Sequence, residues 1–278
     1  MERSVQRLSL VERIRELERK GLWHVDANED PETYPLPPDD VDYLDEKWTS
    51  RVKTWLANRV GQAFYEKMIR RGEMIMEDVR GIENFTAVTG GRIVTCNHFS
   101  PCDNYAVWRA LRGSMDGKLL YKVIREGNYT NPPKPYGFIM RNCNTLPLSS
   151  DLGTMKKFMR AFRVLMQRGE TVLIYPEQSM WLNYRKPKPM QDGAFHLAVK
   201  NDVPVVPAFI TMRDADTLDG DGFPVQKYTV NILPAIYPDK TLPAKEAKAK
   251  MREENYAAWV SCYEAFYGIP LDYTKDNF

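Results

Sequence analysis

From residue 73 onward the chain alternates short apolar runs with helix-length segments, and this alternation restricts the fold more than any other feature. Runs such as 171–175 (TVLIY) and 203–210 (VPVVPAFI) are apolar almost throughout, so both faces of these strands are expected to be buried. Helices on both sides of a mostly parallel sheet provide that environment. From residue 73 the sequence therefore predicts alternating strands and helices, with a sheet covered on both faces by helices.

The expected order of elements follows from the same pattern. The predicted strands are 73–79, 92–96, 118–124, 137–140, 171–175, 203–210 and 226–233. The predicted helices are 101–112, 152–168, 192–201 and 243–266. Strands separated by helices of this length are typical of βαβ units.

Residues 1–72 are predicted to form a helical extension before this domain. An amphipathic helix is expected over 5–20, followed by an acidic, proline-rich loop over 22–46 and a second helix over 48–70. The second helix has a basic face opposite an apolar stripe made of Trp48, Val52, Trp55, Leu56, Val60, Phe64 and Met68. A basic helix with tryptophan on its apolar side suits a membrane interface, and packing of the stripe on the domain body is the alternative.

Charge and hydropathy restrict the partners. A net charge of +2 argues against a general nucleic-acid binder. No segment approaches about 18 consecutive apolar residues, so a chain of this kind that meets a bilayer is expected to lie on it. The N-terminus has no secretory signal, and the 4 cysteines lack metal-ligand spacing. These features predict a cytoplasmic protein, peripheral on the inner face of the membrane, with reduced thiols and no metal ion.

The segment 92–104 (RIVTCNHFSPCDN) has the strongest chemical signal. His98 follows an apolar strand, and Asp103 lies in the first turn of the next predicted helix, for which Ser100 is a suitable N-cap. A histidine with a pKa near ~6.5 can take a proton from a hydroxyl, and a carboxylate can fix its tautomer. The alternative is structural: Ser100 and Asp103 form a capping box, and His98 is a core histidine.

Further motifs accompany this segment in a fixed order. Asn97-His98 with Asp103 resembles the N-H-x-x-x-x-D signature of the glycerolipid and lysophospholipid acyltransferase family. Residues 81–84 (GIEN) resemble the lead-in to that signature, 137–141 (GFIMR) the second motif, 174–177 (IYPE) the third and 203–207 (VPVVP) the fourth. The resemblance covers about residues 75–235. It implies a single α/β domain over residues 73–278, with a mostly parallel central sheet flanked by helices.

The resemblance implies an O-acyltransferase of phospholipid biosynthesis. A fatty acyl group would move from acyl-CoA or acyl-carrier protein, as co-substrate, to the hydroxyl of a lysophospholipid or glycerol-phosphate-type acceptor, with no other cofactor. His98 would be the general base and Asp103 its partner. The predicted substrate-binding residues are Asn97, Arg141, Glu177, Ser179 and Arg185.

The third motif departs from the family pattern F-P-E-G-T-R-S. Gln178 replaces the family glycine, and Met180 stands where the family arginine, associated with the acceptor phosphate, would be. Methionine cannot form a bidentate contact with phosphate. A non-phosphate acceptor, such as a glycolipid or an ornithine lipid, is therefore an alternative, as is a non-catalytic lipid-binding protein. A Cys102 nucleophile activated by His98 is a further alternative, since a thiol in the first turn of a helix can have a lowered pKa.

Overall fold

A central sheet of seven strands organises the chain in a computed structural model that describes residues 3–28, 32–132 and 136–276. The strands are β1 (Ile75–Arg80), β2 (Arg92–Thr95), β3 (Leu120–Ile124), β4 (Thr145–Pro147), β5 (Thr171–Ile174), β6 (Val205–Leu218) and β7 (Pro224–Ile232). Their order across the sheet is β1-β7-β6-β2-β5-β3-β4.

All neighbouring strands are parallel except β6 and β7, which form an antiparallel pair. Only this pair is joined by a short connection, and a short connection suffices only between antiparallel strands. The central strand β2 is buried at three of its four positions and β5 at all four, as expected for a sheet covered on both faces. The predicted α/β fold with a mostly parallel sheet is confirmed.

Helices cover both faces of the sheet and extend beyond it at the N-terminus. They are α1 (Val5–Arg19), α2 (Trp48–Arg70), α3 (Ile82–Thr86), α4 (Asp103–Leu111), α5 (Glu126–Thr130), α6 (Gly137–Asn142), α7 (Leu152–Gln167), α8 (Gly193–Asn201) and α9 (Ala244–Tyr267). One core packs α7, α8 and α9 on the first face. The second core packs α3, α4 and the C-terminal half of α2 on the opposite face.

The strand predicted over 137–140 is wrong, because these residues belong to α6. A run of four apolar residues fits a strand or one helical turn equally well, so periodicity cannot distinguish them. The strand in this region is β4, which the sequence did not indicate. It has three residues, lies at the sheet edge and ends in proline, which cannot donate a backbone hydrogen bond.

The apolar stripe of α2 is largely exposed rather than packed on the domain body. Side-chain exposure reaches 72% at Trp48 and 59% at Trp55, and only Ala57 and Gly61 of this helix are buried. The alternative that the stripe packs against the domain is therefore wrong for most of its length. None of the described helices carries an apolar stretch that could cross a bilayer.

The first helix, in contrast, packs against the body of the protein. Ile14 and Leu17 of α1 are fully buried and form a small core with Trp181 and Tyr184, which lie in the segment after β5. The predicted division between residues 72 and 73 stays a prediction, but the N-terminal residues share a core with the third motif. This core places α1 next to the candidate site.

Candidate active site

The candidate site lies where β2 and β5 end side by side. The two strands are parallel, and Thr95 is in register with Ile174. Carboxyl ends of parallel strands meet at one edge of the sheet, so the residues that follow each strand are neighbours. This arrangement brings His98, after β2, close to Tyr175 and Glu177, after β5.

His98 and Asp103 are in direct contact. Nδ1 of His98 lies 2.7 Å from Oδ2 of Asp103, whose side chain is fully buried, while the His98 side chain remains 27% exposed. The same carboxylate oxygen accepts the backbone N–H groups of Phe99 at 3.1 Å and Ser100 at 3.2 Å. Nε2 of His98 has no hydrogen-bond partner within the described residues.

The helix after His98 begins later than the sequence predicted. The N-cap of α4 is Cys102, not Ser100, and the helix starts at Asp103. Ser100 instead accepts the backbone N–H of Cys102 through its hydroxyl oxygen at 3.1 Å. Half of the predicted capping box is present, because Oδ2 of Asp103 accepts the backbone N–H of Ser100 at 3.2 Å. The same oxygen also contacts His98, so capping is not the only role of Asp103.

Tyr175 is a member of the site that sequence reasoning missed. Its hydroxyl donates to Oδ1 of Asp103 at 2.6 Å, and its ring stacks on the imidazole of His98 with centroids 4.0 Å apart and an interplanar angle of 22°. Burial and the charge of Asp103 raise the pKa of Tyr175 well above its usual value. The available signal was a hydroxyl-bearing aromatic residue at the end of an apolar strand, two positions before a buried acid.

Glu177 is 1% exposed and contacts the main chain of His98. Its Oε2 accepts the backbone N–H of His98 at 3.1 Å, and its Oε1 accepts the backbone N–H of Lys188 at 2.8 Å. The ammonium of Lys188, also 1% exposed, lies 3.4 Å from Oε2. Burial raises the pKa of Glu177 and lowers that of Lys188, while their mutual attraction opposes both shifts.

Asn97 and Ser179, both predicted to bind substrate, are buried and bonded to protein groups. The amide of Asn97 donates to the carbonyl of Ile210 at 3.0 Å and accepts the N–H of the same residue at 2.8 Å. The Ser179 hydroxyl donates to the carbonyl of Trp23 at 2.6 Å and accepts from Lys188 Nζ at 2.7 Å. Their substrate-binding roles stay predictions, and the contacts present tie together parts of the site.

Arg185 and Arg141 also contact protein groups. The guanidinium of Arg185 donates to Asp214 at 2.6 Å and to Gln226 at 3.2 Å. Arg141, on α6 rather than at a strand end, donates to two backbone carbonyls at the end of α5, at 2.7 and 3.0 Å. The binding roles of these arginines stay predictions.

Residues 23–26, here named the N-terminal strap, hold the divergent third motif. Besides the Trp23–Ser179 bond, the carbonyl of Val25 accepts the indole N–H of Trp181 at 2.7 Å. The carboxylate of Asp26 accepts the backbone N–H of Met180 and pairs with Arg125, which also donates to the carbonyl of Gln178. No local sequence pattern predicts the contacts between the N-terminal strap and the third motif, because they join segments about 150 residues apart.

The environment of Cys102 contradicts its proposed role as a nucleophile. Burial raises the pKa of this thiol to about 11, the opposite of the shift that activates a cysteine. The prediction of a lowered pKa is wrong because burial and the nearby charge of Asp103 raise the pKa of the thiol more than its hydrogen bond with Ser100 lowers it.

Comparison with known proteins agrees with this geometry. A family model described as Acyltransferase matches residues 77–211. The fold is similar to the crystal structure of the 1-acyl-sn-glycerophosphate (LPA) acyltransferase from Thermotoga maritima, with a TM-score of 0.51 and 17% identity over 83% of this chain and 87% of that chain. No curated protein sequence matches. The chain is similar to the acyltransferase family over residues 77–211, and this region contains the His98–Asp103 pair, Tyr175 and Glu177.

Proposed function

We propose that this protein transfers a fatty acyl group from a thioester donor, acyl-CoA or acyl-carrier protein, to the hydroxyl of a lipid acceptor, with His98 as general base. The observation that carries the proposal is the 2.7 Å contact between His98 and the buried Asp103. The imidazole ring of His98 stays partly exposed despite this contact. This contact holds Nδ1 as the donor and leaves Nε2 as the acceptor of a proton.

The transfer proceeds in one displacement. The acceptor hydroxyl gives its proton to Nε2 of His98 as its oxygen attacks the thioester carbonyl carbon, and Asp103 stabilises the imidazolium that forms. The carbon–sulfur bond then breaks, and the thiolate takes the proton from His98. General base catalysis of this kind contributes typically ~10²–10⁴ in rate.

The proposed acceptor is a lipid alcohol, and two classes of lipid alcohol are candidates. A lysophospholipid or glycerol-phosphate acceptor is supported by the fold shared with an enzyme described as a 1-acyl-sn-glycerophosphate acyltransferase. A non-phosphate acceptor is supported by Met180 and by the pairing of nearby cations: Arg185 with Asp214, Lys188 with Glu177 and Arg125 with Asp26. A phosphate would have to compete with a carboxylate for each of these cations.

The exposed apolar stripe of α2 supports the proposal that the enzyme acts at the cytoplasmic surface of a membrane. The stripe includes two exposed tryptophans, and α6 adds Tyr136 and Phe138, exposed by 42% and 40%, with the Tyr136 ring against Phe64. Basic residues of α2 lie beside these apolar side chains, a composition that favours the headgroup region of a bilayer with anionic lipids.

Thiol release from each donor tests the function. Purified protein is incubated with acyl-CoA or acyl-carrier thioester and a panel of lysophospholipids, glycerol phosphate and uncharged or amino-acid lipid alcohols, and the products are identified by mass spectrometry. We expect acceptor-dependent release that His98→Ala abolishes while the thermal unfolding midpoint stays unchanged. Absence of transfer with every donor and acceptor would favour a non-catalytic lipid-binding protein, and full activity in His98→Ala would refute the mechanism.

A further inference from the structure

The His98–Asp103 pair has a third partner in Tyr175. This residue directly follows β5, and the backbone N–H of Cys96 donates to the carbonyl of Ile174 at 3.3 Å. The strand ends are thus fixed to each other by the sheet. Tyr175 reaches the pair from β5, whereas both members of the pair come from the segment after β2.

The hydroxyl and the ring of Tyr175 make separate contacts. The hydroxyl donates to Oδ1 of Asp103 at 2.6 Å, while His98 and two backbone N–H groups use Oδ2. Within the described residues, Tyr175 is the one donor to Oδ1. The ring lies nearly flat against the imidazole, which limits rotation of His98 away from the acceptor.

We propose that Tyr175 is a positioning residue, whose hydroxyl fixes the Asp103 carboxylate and whose ring fixes the plane of the His98 imidazole. The inference rests on the proposed function, because it assigns Tyr175 to the same base. Tyrosine is suited to the task because it combines a flat apolar face with a donor at its end. Burial and the charge of Asp103 raise the pKa of Tyr175 well above its usual value, which favours the protonated form that donates the hydrogen bond.

Loss of the hydroxyl has a predictable effect on proton affinity. The groups that act on His98 are Asp103 from α4, Tyr175 and Glu177 from the segment after β5, and Lys188, which pairs with Glu177. Without the tyrosine donor, the negative charge of Asp103 is shared with one partner fewer and attracts the imidazolium more strongly. His98 acts as a base only when neutral, so activity should then appear at higher pH.

Tyr175→Phe tests the hydroxyl while keeping the ring. We expect kcat to fall about 10-fold and the acid limb of the pH–kcat profile to move up by about 0.5–1 pH unit, the range expected for one ordinary hydrogen bond. An NMR titration of the histidine ring provides a readout independent of activity. The chain has 3 histidines, and His98→Ala identifies the signal of His98.

Tyr43→Phe is the matched control, because Tyr43 is buried and its hydroxyl donates to the carbonyl of Pro147 at 2.7 Å away from the pair. It should change neither kcat nor the titration of His98. An unchanged rate and unchanged His98 titration in folded Tyr175→Phe would overturn the inference. An active His98→Ala would instead remove the proposed function, and the titration would still test whether Tyr175 acts on the ring.

Discussion

The carboxylate of Glu177 accepts the backbone N–H of His98 at 3.1 Å, so a residue of the third sequence motif binds the main chain of the first motif. The side chain of His98 is oriented separately by Asp103 at 2.7 Å. Backbone and side chain of the same residue are thus fixed by two different acids. Each acid is buried and held by further donors, which makes the site sensitive to changes in residues that never meet the substrate.

Replacement of Asp103 by asparagine should lower kcat strongly with little loss of folding. The amide keeps the shape of the carboxylate but cannot stabilise an imidazolium, and its N–H₂ group disfavours the tautomer with the proton on Nδ1. We expect a fall of roughly 10²–10⁴ in kcat, measured by thiol release. A decrease below fivefold would contradict the role given to Asp103.

Loss of Lys188 should destabilise the fold. Lys188→Met leaves the buried carboxylate of Glu177 without its cation, which typically costs about 3–5 kcal/mol. Adding Glu177→Gln should restore part of the free energy of unfolding, measured by urea denaturation. The control is Lys240→Met, because its pair with Asp202 is exposed and should contribute less than about 1 kcal/mol. Equal losses from the two lysine variants would show that the buried pair is dispensable.

Gln178→Gly should stabilise the protein. Gln178 has φ of 59° in the left-handed region, where a β-carbon is unfavourable, and its side chain is exposed. Relief of this strain, less the added entropy of glycine in the unfolded chain, should raise the free energy of unfolding by about 0.5–1 kcal/mol. Gln178→Ala keeps the β-carbon and should bring no such gain. A lower urea midpoint for the glycine variant would oppose this account.

The cysteines should react slowly with thiol reagents. Burial raises the pKa of Cys102 and Cys262 to about 11, so roughly one thiol in a thousand is ionised at pH 8. Modification by iodoacetamide should accelerate about tenfold per pH unit between pH 8 and 10, as the thiolate fraction rises. Cys102→Ser should retain wild-type kcat, whereas loss of activity in this variant would revive the covalent mechanism.

Serine at Trp48 and Trp55 should weaken binding to vesicles that contain anionic lipid. Both indoles are exposed, so the double variant should keep its thermal midpoint while vesicle affinity, measured by sedimentation, falls at least tenfold. Leu152→Ser is the control, since Leu152 is 78% exposed at the start of α7, which packs on the other face of the sheet from the C-terminal half of α2. If the wild type, the double tryptophan variant and Leu152→Ser bind vesicles equally well, the exposed tryptophans of α2 do not contact the membrane.

The sequence predicted those features that local patterns encode. Apolar runs identified the central strands, and an acid five residues after His98 identified the pair that the structure brings together. Short elements could not be predicted from the sequence, because the four residues at 137–140 fit either a helical turn or a strand. The contacts of Tyr175 and Lys188 could not be predicted either, because they depend on which strands are neighbours in the sheet.

The N-terminal strap joins residues that are far apart in the chain. Trp23 and Ser179 are separated by 156 positions, and the buried ion pair of Glu18 with Lys186 by 168. Closing loops of this length is slow, so contacts of high sequence separation, including those between β1 and β7 across 152 positions, are expected to form late in folding. The N-terminal strap should thus be among the last segments to reach its native position. The part of the fluorescence signal that Trp23→Phe removes should therefore appear after formation of the helices, and activity should return only with that final step.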